Sequence, residues 1–370
     1  MRDRRVRPAP DRLARLRASL AESELDALLV TALPNVCWLT GFSGSNGMVV
    51  VTADACVLVT DFRYATQVKH EVAAAVRVVI ESSSLWTGLW ACLKGMPGVH
   101  VLAFESAHLS HQDCARFLEA TSEGARWKWR PALNLVEVLR ESKDAGELAR
   151  IRAAVGIAER ALERTVPTIR AGQTELAVAG ALERELRLAG SEGFPFETIV
   201  AAGARSALPH ARASPNVIAP GDLLLIDFGA IHRGYCSDLT RTFVVGRAPD
   251  ERQREIHAVV REANGSASAL VRAGMRGRDA DALARDYIHG RGWGEAFGHS
   301  LGHGIGLEVH EAPRLAKTAD ALLPAGAVVT IEPGIYVEEW GGVRIEDDVV
   351  LTSNGPEILS SFDRGLVQLG

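Results

Sequence analysis

Four carboxylates and three histidines in the second half of the chain have a spacing that packing alone does not require. Asp227 closes the apolar run Leu223–Ile226, and Asp238 follows past the turn-like segment 232–234. A carboxylate at the end of an apolar strand is costly to bury unless a cation or strong hydrogen bonds compensate it. A hairpin would bring the two aspartates together, either to hold a loop or to hold a metal ion. His299, His303 and His310 fall within 12 residues, interleaved with Gly298, Gly302, Gly304 and Gly306, in a chain with 11 histidines in all. That much glycine disfavours a helix and points to a backbone passing close to another group. Three histidines in such a loop favour a metal-binding or catalytic role over a structural one.

Glu332 ends the run Val328–Ile331, and Glu346 follows Gly342-Val-Arg344-Ile. Either glutamate alone reads as a salt-bridge partner at a rim, with Arg344 the obvious cation. The conjunction is more informative than its members. Four carboxylates in one place repel and raise one another's pKa. Two divalent cations would cancel their charge, and one imidazole would complete the donor set. Oxygen-rich ligation favours Mn²⁺, Co²⁺ or Fe²⁺ over a closed structural zinc site, while leaving Zn²⁺ open.

The segment from Leu223 to Thr242, the spacing of His299, His303 and His310, Ile331-Glu-Pro-Gly334 and Val343-Arg-Ile-Glu-Asp347 closely resemble the proline-specific metallopeptidases. These are aminopeptidase P and prolidase, relatives of methionine aminopeptidase with the pita-bread catalytic fold. The resemblance extends to Trp38–Phe42 and Asp61-Phe-Arg-Tyr64, and so covers nearly the whole chain. It implies that Asp227, Asp238, His303, Glu332 and Glu346 ligate two divalent metal ions, most readily Mn²⁺, with Asp238 and Glu346 bridging. It also implies that His210, in Ser206-Ala-Leu-Pro-His210, lines the substrate site with His299 and His310. Glu332 would then shuttle a proton, His310 would stabilise the oxyanion, and Arg344 would orient Glu346 or meet a substrate carboxylate.

The activity implied is hydrolysis of the Xaa-Pro bond at the N-terminus of peptides by an aminopeptidase. An Xaa-Pro dipeptidase is the alternative, and a non-catalytic binding protein on the same fold is the contrasting class. All five ligand types are present, which argues against the family's metal-free members such as creatinase. Methionine aminopeptidases usually lack a separate N-terminal domain of this size. The implied partners are short proline-containing peptides and a second copy of the chain, as a homodimer.

The elements that must position these residues read as two domains, 1–139 and 140–370. The first shows short β-branched runs at 26–31, 48–52, 56–60, 76–80 and 100–104, with helical patterns at 11–22, 63–73, 85–94 and 110–120, as in a small α/β domain. The glycine-rich segment Gly41–Gly47 lacks the spacing of a phosphate cradle and reads as a turn into the next strand. Trp86 and Trp90 read as core packing in preference to a dimer contact. From Ser142 onward a long amphipathic helix, a second helix at 174–189 closed by Gly190, strands at 197–202, 223–230 and 235–245, a helix pair between 250 and 290 and further strands at 328–331, 335–338 and 347–352 make an α+β domain. Its sheet is expected to be largely antiparallel, and each half could repeat the same unit of a helix pair followed by strands.

Composition bounds the rest. The chain has 370 residues, 47% hydrophobic and 24% charged, with a net charge of -5, which excludes disorder and gives no basic footprint for nucleic acid. No apolar stretch is long enough to cross a bilayer, and the start has the basic but not the apolar part of a leader, so a cytoplasmic protein is expected. Cys37, Cys56, Cys92, Cys114 and Cys236 are scattered, which excludes a disulfide framework and a cysteine zinc site. Cys236 merits notice only because it lies beside Asp238.

Overall fold

A computed structural model describes residues 11–122 and 127–370 of the chain. The opening segment 1–10, on which the leader expectation rests, lies outside the described residues. Contacts divide the chain into two units, Met1–Arg140 and Glu141–Gly370.

In the first unit, β1 (Ala27–Val30), β2 (Gly47–Thr52), β3 (Cys56–Asp61), β4 (Arg77–Glu81), β5 (Val101–Glu105) and β6 (Lys128–Ala132) form one sheet in the order β4-β3-β2-β1-β5-β6. Its centre is antiparallel and its outer pairs are parallel. The helices are α1 (Arg12–Glu22), α2 (Leu33–Thr40), α3 (Val68–Glu71), α4 (Leu85–Lys94) and α5 (His111–Ser122). Helix α2 has no counterpart in the sequence reading. Asn35, Val36, Trp38, Leu39 and Thr40 are all buried, so it lacks the polar face that makes a helix legible. The helix expected at 63–73 is instead a 3₁₀ turn, Phe62–Tyr64, and the short α3, because the Asp61 carboxylate accepts from the Arg63 N–H and caps the turn.

The Gly41–Gly47 segment does turn into β2, and a side chain at Gly44 would sit 2.2 Å from the Phe42 ring. Trp86 and Trp90 pack with Phe117, Trp127 and Trp129 against a core that includes Leu89 and Leu93. That arrangement agrees with core packing.

Helix α6 (Glu137–Glu141) spans the division. The second unit begins with α7 (Ala145–Thr165) and α8 (Glu175–Ala189), followed by β7 (Ile199–Ala202), β8 (Leu223–Phe228), β9 (Ile231–His232), β10 (Tyr235–Cys236) and β11 (Leu239–Val245). Next come α9 (Glu251–Leu270), α10 (Gly277–Gly290), β12 (Gly302–Gly304), β13 (Glu311–Leu315) and β14 (Val328–Ile331). The chain ends with β15 (Gly334–Val337), β16 (Gly341–Arg344), β17 (Asp347–Thr352), β18 (Gly355–Ile358) and β19 (Gln368–Leu369).

Asp144 caps α7 reciprocally with Glu147, and Gly190 closes α8 at φ 108°, in the left-handed region that glycine enters without strain. These two helices bury Ala158, Leu162, Leu182 and Leu186 against Leu224, Ile226, Phe228 and Phe243 of the sheet β19-β11-β8-β7. Helices α9 and α10 bury Ile256, Val260, Ala284 and Ile288 against Val329, Ile331, Val343 and Val349, which line the sheet β13-β12-β14-β17-β18 and the hairpin β15-β16. Every pairing in this unit is antiparallel except β11 with β19. Each half is thus a helix pair followed by strands. A bridge between Thr240 and Glu346 joins the two sheets.

The run expected as one strand over 235–245 is broken at Ser237 and Asp238, between β10 and β11. The Asp238 N–H donates to Asp348 Oδ2 at 3.1 Å instead of entering the ladder, and Gly229 approaches so closely that a Cβ there would lie 2.0 Å from the Ser237 carbonyl oxygen. The β9-β10 hairpin turns through Arg233 and Gly234, both with positive φ (50° and 79°), as a two-residue turn of this hand requires. No described helix is long and apolar enough to cross a membrane.

Candidate metal centre

The ligand candidates sit where the two sheets meet, at the ends of strands buried along their whole length. Leu223–Ile226 carry β8 through the core and deliver Asp227 opposite Thr240 on β11. Asp238 enters from the break before β11. Glu332 leaves the end of β14 with its N–H on the Leu301 carbonyl, and Glu346 lies between β16 and β17 with its N–H on the Thr240 carbonyl. His303 lies on β12, whose glycines let neighbouring strands close in. A Cβ at Gly302 would lie 1.9 Å from the Thr330 carbonyl oxygen, and one at Gly304 would lie 2.2 Å from that of Ala312. The close backbone approach anticipated from the glycine content is therefore the packing of β12 between β13 and β14.

Ligand atoms of Asp238, His303 and Glu346 all lie within 4.8 Å of one another. His303 Nε2 is 3.4 Å from Glu332 Oε1 and 3.8 Å from Asp238 Oδ2, and His303 Nδ1 lies 3.1 Å from the Gly304 carbonyl. Glu346 accepts from Thr240 Oγ1 at 2.6 Å and Glu332 from Thr330 Oγ1 at 3.2 Å. Asp227 is turned toward Arg344, whose Nη2 donates to its Oδ2. All five residues open into one cavity of about 790 Å³, whose wall also carries His210, His299, His310 and Arg344. The sequence-derived set is thus gathered in one place, with His210 and His310 exposed and Arg344 buried.

Electrostatics identify what the cluster lacks. Burial pushes the Asp238 and Glu346 carboxyls well above the ordinary carboxylate range, and the neighbouring carboxylates push them further. Glu332 rises to about 8, again mainly by burial. His299 and His303 fall to about 4 because burial disfavours the imidazolium, so both rings are neutral near pH 7. Burial lowers His310 as well. The buried oxygens Asp227 Oδ1 and Asp238 Oδ1 accept no hydrogen bond from the described residues. Buried acceptors of this kind are rare unless something outside the chain satisfies them. Orphaned carboxylate oxygens, neutral imidazole and crowded negative charge are the donor chemistry that divalent cations compensate.

A model of metallopeptidase family M24 matches residues 149–353, and one of the creatinase/prolidase N-terminal domain matches residues 12–142. The chain belongs to metallopeptidase family M24. An Xaa-Pro dipeptidase from Bacillus anthracis is 40% identical, with a TM-score of 0.92 over 97% of this chain and 99% of that one. An X-Pro aminopeptidase from Thermotoga maritima is 39% identical, with a TM-score of 0.86 over 96% and 99% of the two chains. An Xaa-Pro dipeptidase from Pyrococcus horikoshii is 36% identical over 94% of this chain and 95% of its own. The fold is accordingly the family's pita-bread catalytic domain, preceded along the chain by an α/β N-terminal domain. Membership in this metallopeptidase family, with the donor set present, implies divalent metal ions.

Two features of this M24 site, Tyr336 and Arg314, went unread in the sequence, and Arg344 was read with other partners. Tyr336 sits between two candidates, its hydroxyl 2.9 Å from His299 Nε2 and 2.8 Å from Arg344 Nη1, and burial raises it to about 12. Arg344 was expected to orient Glu346 or to meet a substrate carboxylate. Its side chain instead donates to Asp227, Thr240 Oγ1, Tyr336 and the Pro209 carbonyl. The side chain is 3% exposed, and it contacts Asp227 directly and Glu346 by way of Thr240 Oγ1. Arg314, on β13, is an exposed cation on the cavity wall, on a strand the sequence reading omitted. Cys236 packs with Ile151, Val155 and Ile305 in an apolar cluster, away from metal chemistry.

Proposed function

We propose that the chain is a dipeptidase hydrolysing Xaa-Pro bonds, with Asp227, Asp238, His303, Glu332 and Glu346 holding two divalent ions, Mn²⁺ foremost. The observation that carries this reading is the convergence of Asp238, His303 and Glu346 in a cavity that also presents a cation, Arg314. Bound ions of this kind supply a nucleophilic water at neutral pH and polarise the scissile carbonyl. Glu332, protonated in the ion-free site and pulled back to carboxylate by cations, moves a proton at its Oε atoms.

His310, held neutral, donates an N–H toward the oxygen that gains charge, and His210, on the wall of the same cavity, contacts the substrate. The ring of His299, fixed by Tyr336, closes the wall near Glu332. Arg314, on the cavity wall, is the cation that would meet the carboxylate in which a dipeptide ends, where a longer peptide continues as a neutral amide. Two named relatives are Xaa-Pro dipeptidases, while the Thermotoga maritima protein keeps the aminopeptidase reading in play.

We further propose the domain boundary at 139/140, a homodimer, short proline-containing peptides as partners with neither nucleic acid nor membrane, and a cytoplasmic location. Hydrolysis of Ala-Pro and Ala-Pro-Ala, compared on metal-stripped protein and after Mn²⁺, Co²⁺ or Zn²⁺ is restored, tests the activity. Metal-dependent cleavage of Ala-Pro with little attack on the tripeptide is expected, and the reverse preference makes the protein an aminopeptidase. Arg314→Met should raise KM for Ala-Pro by about 10–100-fold, the worth of a charge-assisted hydrogen bond, and leave KM for Ala-Pro amide nearly unchanged. Equal effects on acid and amide would remove Arg314 from carboxylate recognition. His310→Ala should retain both ions by elemental analysis while kcat falls by about 10²–10³-fold. Loss of metal in that variant would make His310 a ligand instead.

A further inference from the structure

Asn264 lies on α9, remote from the cavity wall, and is fully buried. Its Nδ2 donates to the Ile331 carbonyl at 2.8 Å and to the Ile345 carbonyl at 3.2 Å. Those carbonyls belong to the residues immediately before Glu332 and Glu346. The β14-β17 ladder runs from Val328 opposite Val350 to Ile331 opposite Asp347, so both glutamates lie just beyond its end. There the chain leaves β14 through Pro333 into the β15-β16 hairpin and returns at Ile345 to start β17. The two segments pair again only from Gly334 opposite Arg344 in the β15-β16 hairpin, and across the gap between the two ladders the backbone contact among the described residues is the long one from the Ile345 N–H to the Pro333 carbonyl, 3.4 Å.

The amide of Asn264 therefore clamps two strands where their own pairing stops. The clamp has a cost, since Asn264 Oδ1 is buried without a hydrogen-bond partner among the described residues. A leucine would fill a similar volume with no orphaned oxygen, so packing alone does not account for an amide at this position. What the amide adds is its pair of N–H donors.

We propose that Asn264 is a positioning residue that fixes the separation of Glu332 and Glu346 so that both reach the same metal ions. The proposal rests on the reading of these two glutamates as ligands. Asn264→Leu removes both donors at near-constant volume. Folding is checked by circular dichroism and thermal melting, and the protein is then titrated with Co²⁺ while its visible absorption, which reports ligand geometry, is recorded. The folded variant should bind Co²⁺ about 10–100-fold more weakly, with an altered absorption spectrum. In turnover of Ala-Pro it should lose kcat and keep KM nearly unchanged.

A folded variant with wild-type affinity and spectrum, even with a lower melting temperature, overturns the proposal, because a purely structural role lowers the melting point alone. Should Asn264→Leu fail to fold, Asn264→Ala, which adds no bulk, is read by the same criteria. Wild-type protein that takes up no Co²⁺ would sink the metal reading and this proposal together. Uptake by wild type with an unaffected variant sinks only the positioning role.

Discussion

Asp238→Asn should lose bound metal and activity together, with kcat/KM down by ~10³-fold or more, about 4 kcal/mol of transition-state stabilisation. The carboxamide keeps the shape of the side chain but offers one neutral oxygen where the carboxylate offers two charged ones. Asp238 offers a ligand atom within 4.8 Å of those of both His303 and Glu346. Its charge is also opposed by its surroundings, through burial and then through Glu346 and Asp227. Removing that charge relieves repulsion in the ion-free protein, so the variant should fold at least as well as the parent. Elemental analysis and a thermal melt on the same sample therefore separate loss of metal from loss of fold. Full metal occupancy with near-normal turnover in a folded Asp238→Asn would undo the five-ligand assignment.

The residues gathered at the seam were legible because each breaks a local rule. Asp227 and Glu332 end apolar runs that bury a strand on both faces, and His303 sits among glycines whose missing side chains let β13 and β14 approach. Each violation alone admits a structural explanation, and it is their conjunction in one domain that points to a metal centre. The supporting groups break no rule. Tyr336 falls in an ordinary strand, Arg344 reads as a rim cation, and Thr240 and Thr330 look like sheet threonines. Their roles exist only after the two sheets meet, as when Thr240 pairs with Asp227 on one side and bridges to Glu346 on the other. Asn264 is more remote still, lying on a helix whose link to the glutamates passes through two backbone carbonyls.

The fold divides along the same line. The start of α7 and both ends of α8 were legible because Asp144, Glu147, Thr174 and Gly190 make local caps that need no tertiary contact. Helix α2 was not, because burial on nearly all sides erases its period. The break at Asp238 was hidden for a different reason. Tyr235–Val245 has uniform strand character, and the interruption comes from Asp348, 110 residues away in sequence. The alternation of helix pair and strands in the two halves survives as architecture, each half supplying part of the donor set: the aspartates from the first, His303 and the glutamates from the second.

The ion-free protein should lose stability as pH rises from about 6.5 to 8, and divalent metal should abolish that loss. The sign follows from proton counts, since stability changes with pH as the protons bound by the unfolded chain minus those bound by the folded one. Glu332 in the folded chain titrates near 8 against an ordinary value of 4.5, and Asp238 and Glu346 are raised as well. Their contribution is fully present below their unfolded values and is lost as pH rises through the folded ones. His299 and His303, lowered to about 4, act oppositely and add stability between about 4 and 6.5 as the unfolded imidazoles must give up protons. The two effects offset each other in that lower range, so the decline emerges above it. A melting temperature lower by ~5 °C at pH 8 than at pH 6.5 is expected for the stripped protein. With Mn²⁺ added, the bound carboxyls are ionised throughout and metal binding tightens as pH rises, so the trend should flatten or reverse. Asp238→Asn, with one titrating group gone and no metal to recruit, should show a shallower decline that Mn²⁺ leaves in place. A stripped protein whose melting temperature is flat or rising over this range would mean that the carboxylates are already compensated without metal.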